Sequence, residues 1–412
     1  MVTGWDTKTV KELSTIFGRI GFRGYTKEDI VEPFDGAISL SPSNLKDGKI
    51  DVSSSTFISW FKYNESPEIK LENGDVVLVK TGSTYGKSAY IDCLSWPITL
   101  NPQILVFKNI KINKKLFAYF IQTPDFQKQI ESTIVGGAIP TLSQNQVYQF
   151  KITVPNDEKE QENIAEALSN VDSMMSSLEK LIAKKKAVKQ GAMQELLTGK
   201  KRLPGFINEW KYCELGCFVE CVRGVSYKGN LDLFSSENNK TIRLLRSNNI
   251  QEAKFNSNDV QYIARDIVRA NQILNKFDIM ICMANGSKSL VGKNCIFNDN
   301  LNKKYTFGAF MSCLRAIKPE INMHYIFYLL NSTQYWDNIA LLLSGSSINN
   351  LRPSDILEMK FYFPTIAEQK AIASILSDMD NEIEVLEQKL AKTRQLKQGM
   401  MQQLLTGKIR LI

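Results

Sequence analysis

Two stretches of the chain carry an apolar residue at alternating steps of four and three positions. The first set is Ile164, Leu168, Val171, Met175, Leu178 and Ile182, and the second is Ile372, Leu376, Met379, Ile383, Leu386 and Leu390. This spacing is typical of the a and d positions of a heptad and predicts two long helices. Because a lone helix cannot bury such a stripe, we expect the two helices to pack on each other. Two separate amphipathic core helices remain the alternative.

The two helical stretches are copies of one another. Residues 160–200 align without a gap with residues 368–408, and both copies end in Leu-Leu-Thr-Gly-Lys. A glycine after a periodic apolar run is a helix C-terminal signal, so Gly199 and Gly407 predict the two helix ends. Matching of this length at one constant offset indicates an internal duplication.

The segments before the helices also repeat, more faintly. Residues 74–79 and 277–282 each predict a turn followed by a buried strand, and each strand leads into a Gly-Ser loop. Residues 116–121 and 325–330 predict equivalent short helices. The intervening stretches show little similarity, so the duplicated scaffold carries divergent segments.

This order predicts an α+β fold. Two mixed α/β domains are separated by two long helices that pack as an antiparallel coiled coil, and the halves are related by a pseudo-twofold internal repeat. The predicted segments are a first domain at 1–155, a central long helix at 156–203, a second domain at 204–363 and a C-terminal long helix at 364–412.

Composition narrows the function classes. Across 412 residues, 51 Lys and Arg exceed 43 Asp and Glu, and this formal charge of +8 is compatible with a polyanionic partner such as nucleic acid. There is no apolar run long enough for a membrane span and no signal pattern at the N-terminus. The seven cysteines lack a framework spacing, which suits a reducing compartment. We therefore expect a cytoplasmic protein with no membrane association.

The chain offers little for catalysis. His324 is the single histidine, so a histidine-centred zinc site or a Ser-His-Asp triad would have to be built around it. The loop at 82–88 has three residues between its glycines, where a nucleotide-binding P-loop needs four. Cys213, Cys217 and Cys221 stand four apart without nearby histidines, and we interpret them as buried thiols. We predict no catalytic, cofactor-binding or metal-binding residue.

Cations and aromatic residues occur together in the predicted turns, where they are placed to reach phosphates or base edges. Ordinary surface loops have the same composition, which leaves that alternative open. The candidate DNA-binding residues are Arg19, Arg23, Tyr25, Ser83 and Lys87 in the first domain, and Arg223, Tyr227, Lys228, Ser287, Lys288 and Lys293 in the second. Because Lys87 and Lys293 hold equivalent positions in the repeat, we expect both at the DNA face. Alanine at either should weaken binding and flatten its salt dependence.

Each long helix also carries a band of basic residues. The first band is Lys184, Lys185, Lys186 and Lys189, and the second is Lys389, Lys392, Arg394 and Lys397. Such a band is either a solvated flank of a coiled coil or a contact surface for a DNA backbone or an acidic partner. The sequence leaves both interpretations open.

The duplicated order resembles the specificity subunit of type I restriction–modification systems over the full length. The shared features are the Gly-Asp-Val-Val strand with its Gly-Ser loop, the Glu-Gln at each helix start, and Gln-Gly-x-Met-Gln-x-Leu-Leu-Thr-Gly-Lys in both copies. The resemblance implies two target-recognition domains, each reading one half of a bipartite site in double-stranded DNA. It also implies that the paired helices set the spacing of the half-sites and dock two methyltransferase subunits.

The same resemblance places all catalysis in partners. Methyltransferase subunits would bind S-adenosylmethionine and methylate adenine N6, and separate motor-endonuclease subunits would use ATP and Mg, so no cofactor is expected in this chain. Two other classes stay open on the residues alone: a stand-alone DNA adenine methyltransferase or nuclease, and a coiled-coil scaffold without a nucleic-acid role.

Overall fold

A computed structural model describes residues 3–133, 141–298, 303–344 and 349–412. The chain divides into two compact units. The first unit consists of residues 1–179 and 388–412, and the second of residues 180–387. Both divisions fall inside the long helices, so each unit contains the beginning of one long helix and the end of the other.

The first unit contains twelve strands and five short helices ahead of its long helix, counted over the described residues. The strands are β1 (Trp5–Thr9), β2 (Thr15–Gly18), β3 (Ile30–Val31), β4 (Ala37–Leu40), β5 (Leu45–Lys46), β6 (Lys49–Ile50), β7 (Thr56–Ile58), β8 (Val76–Val79), β9 (Ser88–Tyr90), β10 (Ile98–Leu100), β11 (Ile104–Lys108) and β12 (Lys151–Pro155). The helices are α1 (Val10–Leu13), α2 (Trp60–Asn64), α3 (Lys114–Ile121), α4 (Pro124–Glu131), α5 (Gln144–Gln149) and the long α6 (Glu158–Leu196).

The second unit repeats these strands in the same order. They are β13 (Lys211–Glu214), β14 (Val219–Arg223), β15 (Leu233–Phe234), β16 (Thr241–Leu245), β17 (Ile250–Gln251), β18 (Lys254–Phe255), β19 (Gln261–Ala264), β20 (Ile279–Cys282), β21 (Asn294–Ile296), β22 (Tyr305–Phe307), β23 (Met311–Ala316) and β24 (Lys360–Phe363). The helices are α7 (Gly229–Asp232), α8 (Met323–Leu329), α9 (Thr333–Ser344), α10 (Pro353–Leu357) and the long α11 (Ile366–Leu404).

Each unit is built on two four-stranded sheets with matching topology. The antiparallel sheet has the order β2-β11-β8-β9 in the first unit and β14-β23-β20-β21 in the second. The mixed sheet has the order β10-β4-β7-β3 and β22-β16-β19-β15, with a parallel pairing of β10 with β4 and of β22 with β16. The strands predicted at 74–79 and 277–282 are the fully buried central strands β8 and β20. Burial on both faces accounts for their continuous apolar sequence.

The long helices begin and end near the predicted signals. Both span 39 residues, and Gly199 and Gly407 follow them with φ of 70° and 69°. Glycine adopts this left-handed conformation without a steric penalty, so it allows the chain to leave the helix sharply.

Within each unit the two helix segments run antiparallel. In the first unit Asp172 pairs with Lys397 at 2.7 Å and Glu179 with Arg394 at 2.8 Å, so a later residue of α6 meets an earlier residue of α11. In the second unit the same holds for Lys185 with Glu382 (2.6 Å), Lys186 with Glu387 (2.7 Å) and Lys189 with Asp380 (2.5 Å).

The heptad positions turn inward. Eight of them are buried: Ile164, Leu168, Leu178, Ile182, Ile372, Leu376, Ile383 and Leu390. Val171, Met175, Met379 and Leu386 are half-buried. Ile164 and Leu168 share a core with Leu404 and Leu405 and also with the strands and short helices of the first unit. The first turns of each long helix therefore pack on a globular domain as well as on the other helix.

The Glu-Gln pair at each helix start has a structural role. The backbone N–H of Asn113 donates to Gln161 Oε1 at 2.8 Å, and Gln161 Nε2 donates to the carbonyl of Pro155 at 2.9 Å. Asn322 and Gln369 make the same contact in the second unit at 2.9 Å. The buried glutamine thus ties the start of α3 or α8 to the start of the long helix.

The neighbouring glutamate is held by an arginine that follows the other long helix. Glu160 is fully buried and accepts two hydrogen bonds from Arg410, which also donates to the Thr3 carbonyl. Glu368, 1% exposed, accepts from Arg202 Nε at 2.7 Å and from its Nη2 at 2.8 Å. Such bidentate pairing is the geometry that compensates a buried carboxylate. It explains why Leu-Leu-Thr-Gly-Lys-x-Arg occurs after both helices.

Candidate nucleic-acid interface

An open groove of about 1080 Å³ lies on the globular part of the second unit. Its lining includes Tyr227, Arg246, Asn248, Asn285, Phe310 and Asn349. These residues come from five separate loops, and their side chains combine amides, a guanidinium and aromatic rings. Those groups are the ones that proteins use to contact base edges and to stack against nucleotides.

Close backbone contacts bring the loops of the groove together. Val225 forms a parallel bridge with Gly308, and Ala284 forms an antiparallel bridge with Asn350. A Cβ on Gly224 would lie 2.0 Å from the Gly308 carbonyl oxygen, so only glycine allows this approach.

Side-chain amides fix the Gly-Ser loop at the edge of the groove. Asn285 Nδ2 donates to Ser247 Oγ at 3.2 Å, and Asn285 Oδ1 accepts from the Ser287 backbone at 3.0 Å. Asn349 Nδ2 donates to the carbonyl of Gly286 at 3.2 Å. The loop is therefore positioned by hydrogen bonds while its tip stays in solvent.

Exposed cations stand close in the chain to residues that line the groove. Arg223 and Lys228 lie on either side of Ser226 and Tyr227, Lys288 follows Gly286, and in the described part of the chain none of the three forms an ion pair. Phe310, 71% exposed, contributes an apolar ring to the lining. Free cations around a polar groove are suited to the phosphates of a polyanion, because such contacts depend on charge and not on base sequence.

Of the six second-domain candidates, Tyr227 lines the groove. Lys228 follows Tyr227 in the chain, and Ser287 and Lys288 follow the lining residue Gly286 on the exposed loop. Lys293 differs, because its ammonium donates to the carbonyl of Ile250 at 3.0 Å and is only partly accessible. Its placement at the DNA face stays a prediction.

The first-domain candidates are arranged differently. Arg19 is 4% exposed, and its guanidinium donates to the Leu100 carbonyl at 2.8 Å and to Thr99 Oγ1 at 3.2 Å. Burial lowers the pKa of Arg19. Its donors hold the fold together instead of facing solvent, which corrects the expectation that it is placed for DNA contact.

The neighbours of Arg19 also have internal partners. Arg23 donates to the Glu65 carbonyl at 3.1 Å, and its guanidinium lies 3.6 Å from the Glu68 carboxylate. The Tyr25 hydroxyl accepts from Ser39 Oγ at 2.8 Å. These contacts anchor the chain after β2, so Arg23 and Tyr25 are less available to a ligand than the sequence suggests.

Ser83 and Lys87 are exposed on the β8–β9 loop. Lys87 lines a cleft of about 980 Å³ in the first unit, together with Lys49 and residues of both long helices, among them Glu179 and Arg394. The cleft mixes acidic and basic side chains. Lys87 therefore remains a candidate contact, in a cleft whose lining has more basic than acidic side chains.

The basic bands are largely neutralised within the chain. Lys185, Lys186, Lys189, Arg394 and Lys397 each pair with a carboxylate. The interpretation as a coiled-coil flank accounts for these five residues.

The remaining candidate chemistry is structural. The His324 ring contacts the Phe277 ring at a tilt of 60° with centroids 5.0 Å apart, and burial lowers the pKa of His324. Cys213 and Cys221 are half-buried, but Cys217 is exposed, so the expectation of three buried thiols is wrong for Cys217. No group of three or more metal-ligating side chains occurs among the described residues. In that same part of the chain, no helix has both the length and the apolar character needed to cross a bilayer.

Sequence reasoning missed most of the groove lining. Arg246, Asn248, Asn285, Phe310 and Asn349 come from four separate stretches of the chain that no local motif joins. A signal existed for Arg246 and Asn248, because they stand in a divergent segment of the duplicated scaffold, and for Asn285, because it belongs to the repeated Gly-Ser loop.

A family model for the type I restriction modification DNA specificity domain matches residues 3–190 and, a second time, residues 208–395. The chain belongs to this family. The resemblance drawn from the repeated motifs is thereby confirmed, and the two matches reproduce the internal duplication.

Individual specificity subunits match this chain over different lengths. The StySPI specificity subunit of Salmonella potsdam is 30% identical over 200 residues, which cover 48% of this chain and 42% of that protein. This chain therefore matches less than half of the length of the StySPI subunit. The MjaVIII specificity subunit of Methanocaldococcus jannaschii is 26% identical over 386 residues, covering 90% of this chain and 85% of that one.

The fold is that of specificity subunits. The crystal structure of the type I restriction–modification S subunit from M. genitalium matches with a TM-score of 0.62 at 15% identity, over 97% of this chain and 96% of that one. This likeness confirms the predicted α+β fold with two repeated domains and long helices. Neither the stand-alone enzyme nor the scaffold without a nucleic-acid role finds support in these matches.

Proposed function

We propose that this chain is the non-catalytic, sequence-reading subunit of a type I restriction–modification complex. Each unit reads one half of a bipartite site in double-stranded DNA. The observation that carries the proposal is the groove of the second unit, where amides, a guanidinium and two aromatic rings converge and exposed cations follow or precede lining residues in the chain. The family membership supports the same function.

The chemistry of the groove fits the two tasks of a DNA reader. Arg223, Lys228 and Lys288 would hold phosphates, which fixes orientation without reading sequence. Side chains inside the groove would contact base edges, which supplies the sequence preference.

Partner subunits are a further part of the proposal. A structure described as showing complex assembly and conformational transition of the type I R-M system matches over 98% of this chain with a TM-score of 0.55. By analogy we propose that the paired helices dock two methyltransferase subunits and set the spacing of the half-sites. S-adenosylmethionine, ATP and Mg would act in the methyltransferase and motor-endonuclease subunits.

Selection from randomised duplex DNA with the purified full chain tests DNA reading directly. The expected result is an asymmetric consensus in two blocks separated by unselected base pairs. A single contiguous block would contradict the bipartite site, and binding without any selected sequence would contradict sequence reading. Co-expression with a methyltransferase encoded beside this chain, followed by mapping of methylated adenines, tests the partner assignment.

Salt dependence tests the phosphate contacts. Each lost contact lowers the slope of log affinity against log salt by about 0.9. The triple variant Arg223→Ala, Lys228→Ala, Lys288→Ala should therefore lose a slope of roughly 2.7 if all three residues touch phosphates. Lys240→Ala, an exposed lysine ahead of β16, is the matched control and should leave the slope unchanged. An unchanged slope in the triple variant would remove these cations from the interface.

A further inference from the structure

The same tight turn follows the second strand of the mixed sheet in both units. In the second unit the backbone N–H of Arg246 donates to Asn249 Oδ1 at 2.8 Å. In the first unit the N–H of Ser41 donates to Asn44 Oδ1 at 2.9 Å. Asn249 and Asn44 are buried, with 0% and 3% exposure.

Each buried asparagine also ties its turn to the hairpin that follows. Asn249 Nδ2 donates to the carbonyls of Asn256 and Asn258, both at 2.9 Å. Asn44 Nδ2 donates to the carbonyl of Asp51 at 2.9 Å. The frame of the turn is therefore the same in both units.

The side chains that this frame presents are different. The first and third positions are Arg246 and Asn248 in the second unit, but Ser41 and Ser43 in the first. The two serine hydroxyls lie 2.8 Å apart and share a hydrogen bond. A fixed backbone that carries exchangeable polar side chains is the arrangement needed to read two different sequences with one fold.

Arg246 and Asn248 line the groove and are oriented by one acidic residue. Asp259 Oδ2 accepts from Arg246 Nη2 at 3.1 Å and from Asn248 Nδ2 at 2.7 Å. Arg246 Nε and Asn248 Oδ1 are buried and have no hydrogen-bond partner in the described part of the chain. One donor and one acceptor are thus left unsatisfied at the groove, and buried polar groups are otherwise almost always paired.

We propose that this turn determines the sequence specificity of each unit, and that Arg246 and Asn248 read base edges in the major groove for the second unit. The inference rests on the proposed DNA-reading function. A base edge offers both acceptors and donors, so it can pair with the guanidinium of Arg246 and the amide of Asn248, and the two atoms that lack partners gain them when these side chains turn into the groove. Asp259 prepares the pair by holding Arg246 Nη2 and Asn248 Nδ2, which lowers the conformational cost of binding.

The test is a selection from randomised duplex DNA with the full chain and the double variant Arg246→Ser, Asn248→Ser. These serines are the residues of the equivalent turn in the first unit, so the frame of the turn should tolerate them. We expect loss of sequence preference at one or two base pairs in one half of the site. Affinity for the wild-type site should fall about 5- to 150-fold for each lost contact. The other half of the consensus should stay unchanged.

Two further variants separate base reading from simple loss of charge. Arg265→Ser removes an arginine that follows β19, beside Thr241 at the opposite end of β16 from the turn, and should keep the wild-type consensus. Arg246→Lys keeps the charge but loses the planar guanidinium, so it should also change the preference.

The outcomes of these selections distinguish failure of the turn as a specificity determinant from failure of DNA reading by the whole chain. A wild-type chain that selects a two-block sequence, with double and lysine variants that select the same one, would overturn the role of the turn alone. Uniformly weaker binding with an unaltered consensus would also overturn it, because that is the behaviour of a phosphate contact. A wild-type chain that selects no sequence would overturn DNA reading itself, and the role of the turn with it.

Discussion

A tyrosine, an aspartate and a lysine connect a short helix of each unit to both long helices. In the second unit the Tyr328 hydroxyl donates to Asp380 Oδ2 at 2.8 Å, and Lys189 pairs with Asp380 Oδ1 at 2.5 Å. The lysine ammonium also lies 5.4 Å from the centroid of the tyrosine ring. The substitution Tyr328→Phe removes one donor and leaves the ring and the ion pair in place.

The structure sets the size of the effect. A hydrogen bond to a charged acceptor contributes about 1.5–3 kcal/mol to stability. The Asp380 side chain is 35% exposed and keeps its lysine, so water can replace the lost donor and the cost belongs at the lower limit, about 1.5 kcal/mol. In the first unit Tyr119 donates to Asp172 at 2.7 Å, and this aspartate is only 22% exposed. Tyr119→Phe should therefore cost more, about 2 kcal/mol.

Hydrogen exchange measured by mass spectrometry across a urea series of the full chain is the appropriate assay, because the two units need not unfold together. Peptides from residues 323–344 should lose protection in Tyr328→Phe, and peptides from residues 114–131 in Tyr119→Phe. Burial raises the pKa of both hydroxyls above their unfolded value of about 10. This contribution is complete below the unfolded pKa and is lost only at strongly alkaline pH, so the penalty should be equal at pH 6 and pH 9.

Two results would refute this reasoning. One is protection in both variants within about 0.5 kcal/mol of wild type, which would mean that solvent replaces the hydroxyl fully. The other is a larger cost for Tyr328→Phe than for Tyr119→Phe, because exposure of the acceptor would then not control the energy.

Three further predictions concern the second unit. Arg315→Ala should destabilise it by about 3–5 kcal/mol in urea unfolding, because Asp278, 4% exposed, would lose the guanidinium that pairs with it at 2.6 Å. Burial lowers the pKa of His324, so stability should fall as the pH drops from 7 through the folded pKa, and His324→Gln should remove that slope in thermal unfolding. Gly224→Ala should lower the melting temperature and disturb the groove, since its Cβ would lie 2.0 Å from the Gly308 carbonyl oxygen.

Matched controls exist for each of these changes. Arg315→Lys keeps a cation beside Asp278 and should recover part of the loss, and full destabilisation by lysine would show that packing, not charge, dominates. A pH slope that persists in His324→Gln would assign it to carboxylates. Gly229→Ala has no atom within 4 Å of the added Cβ, and a cost equal to that of Gly224→Ala would exclude the steric explanation.

Periodic and repeated features were predictable from the sequence because they follow from local rules. The heptad spacing gave both long helices, and Gly199 and Gly407 marked their ends. The role of Lys189 was not predictable, although it interrupts the apolar seam, because its partner Asp380 lies 191 positions away. The apolar heptad pattern breaks at Lys189 and again at the equivalent Lys397, and this repeated break was the available signal.

The candidate site was only partly predictable, because contacts between residues distant in the chain decide which side chains face solvent. Tyr227 stood out as an aromatic residue beside cations, and the structure places it in the groove. Arg19 had the same local appearance, but tertiary contacts with Leu100 and Thr99 bury it. Arg246 became recognisable only when the sheet registers aligned it with Ser41. To distinguish an arginine that stabilises the fold from one that is available to contact DNA, one must know what surrounds each side chain.

The division of the chain into units has a consequence for biosynthesis. The second unit is one continuous segment, residues 180–387, whereas the first combines residues 1–179 with residues 388–412. A ribosome therefore releases every part of the second unit before the first unit receives Leu404, Leu405 and Arg410. Until then Glu160 has no guanidinium partner, and the apolar face around Ile164 lacks part of its cover. We therefore expect the first unit, although most of it is translated earlier, to complete its packing after the second, and a stop codon near position 400 to destabilise the first unit instead of the second.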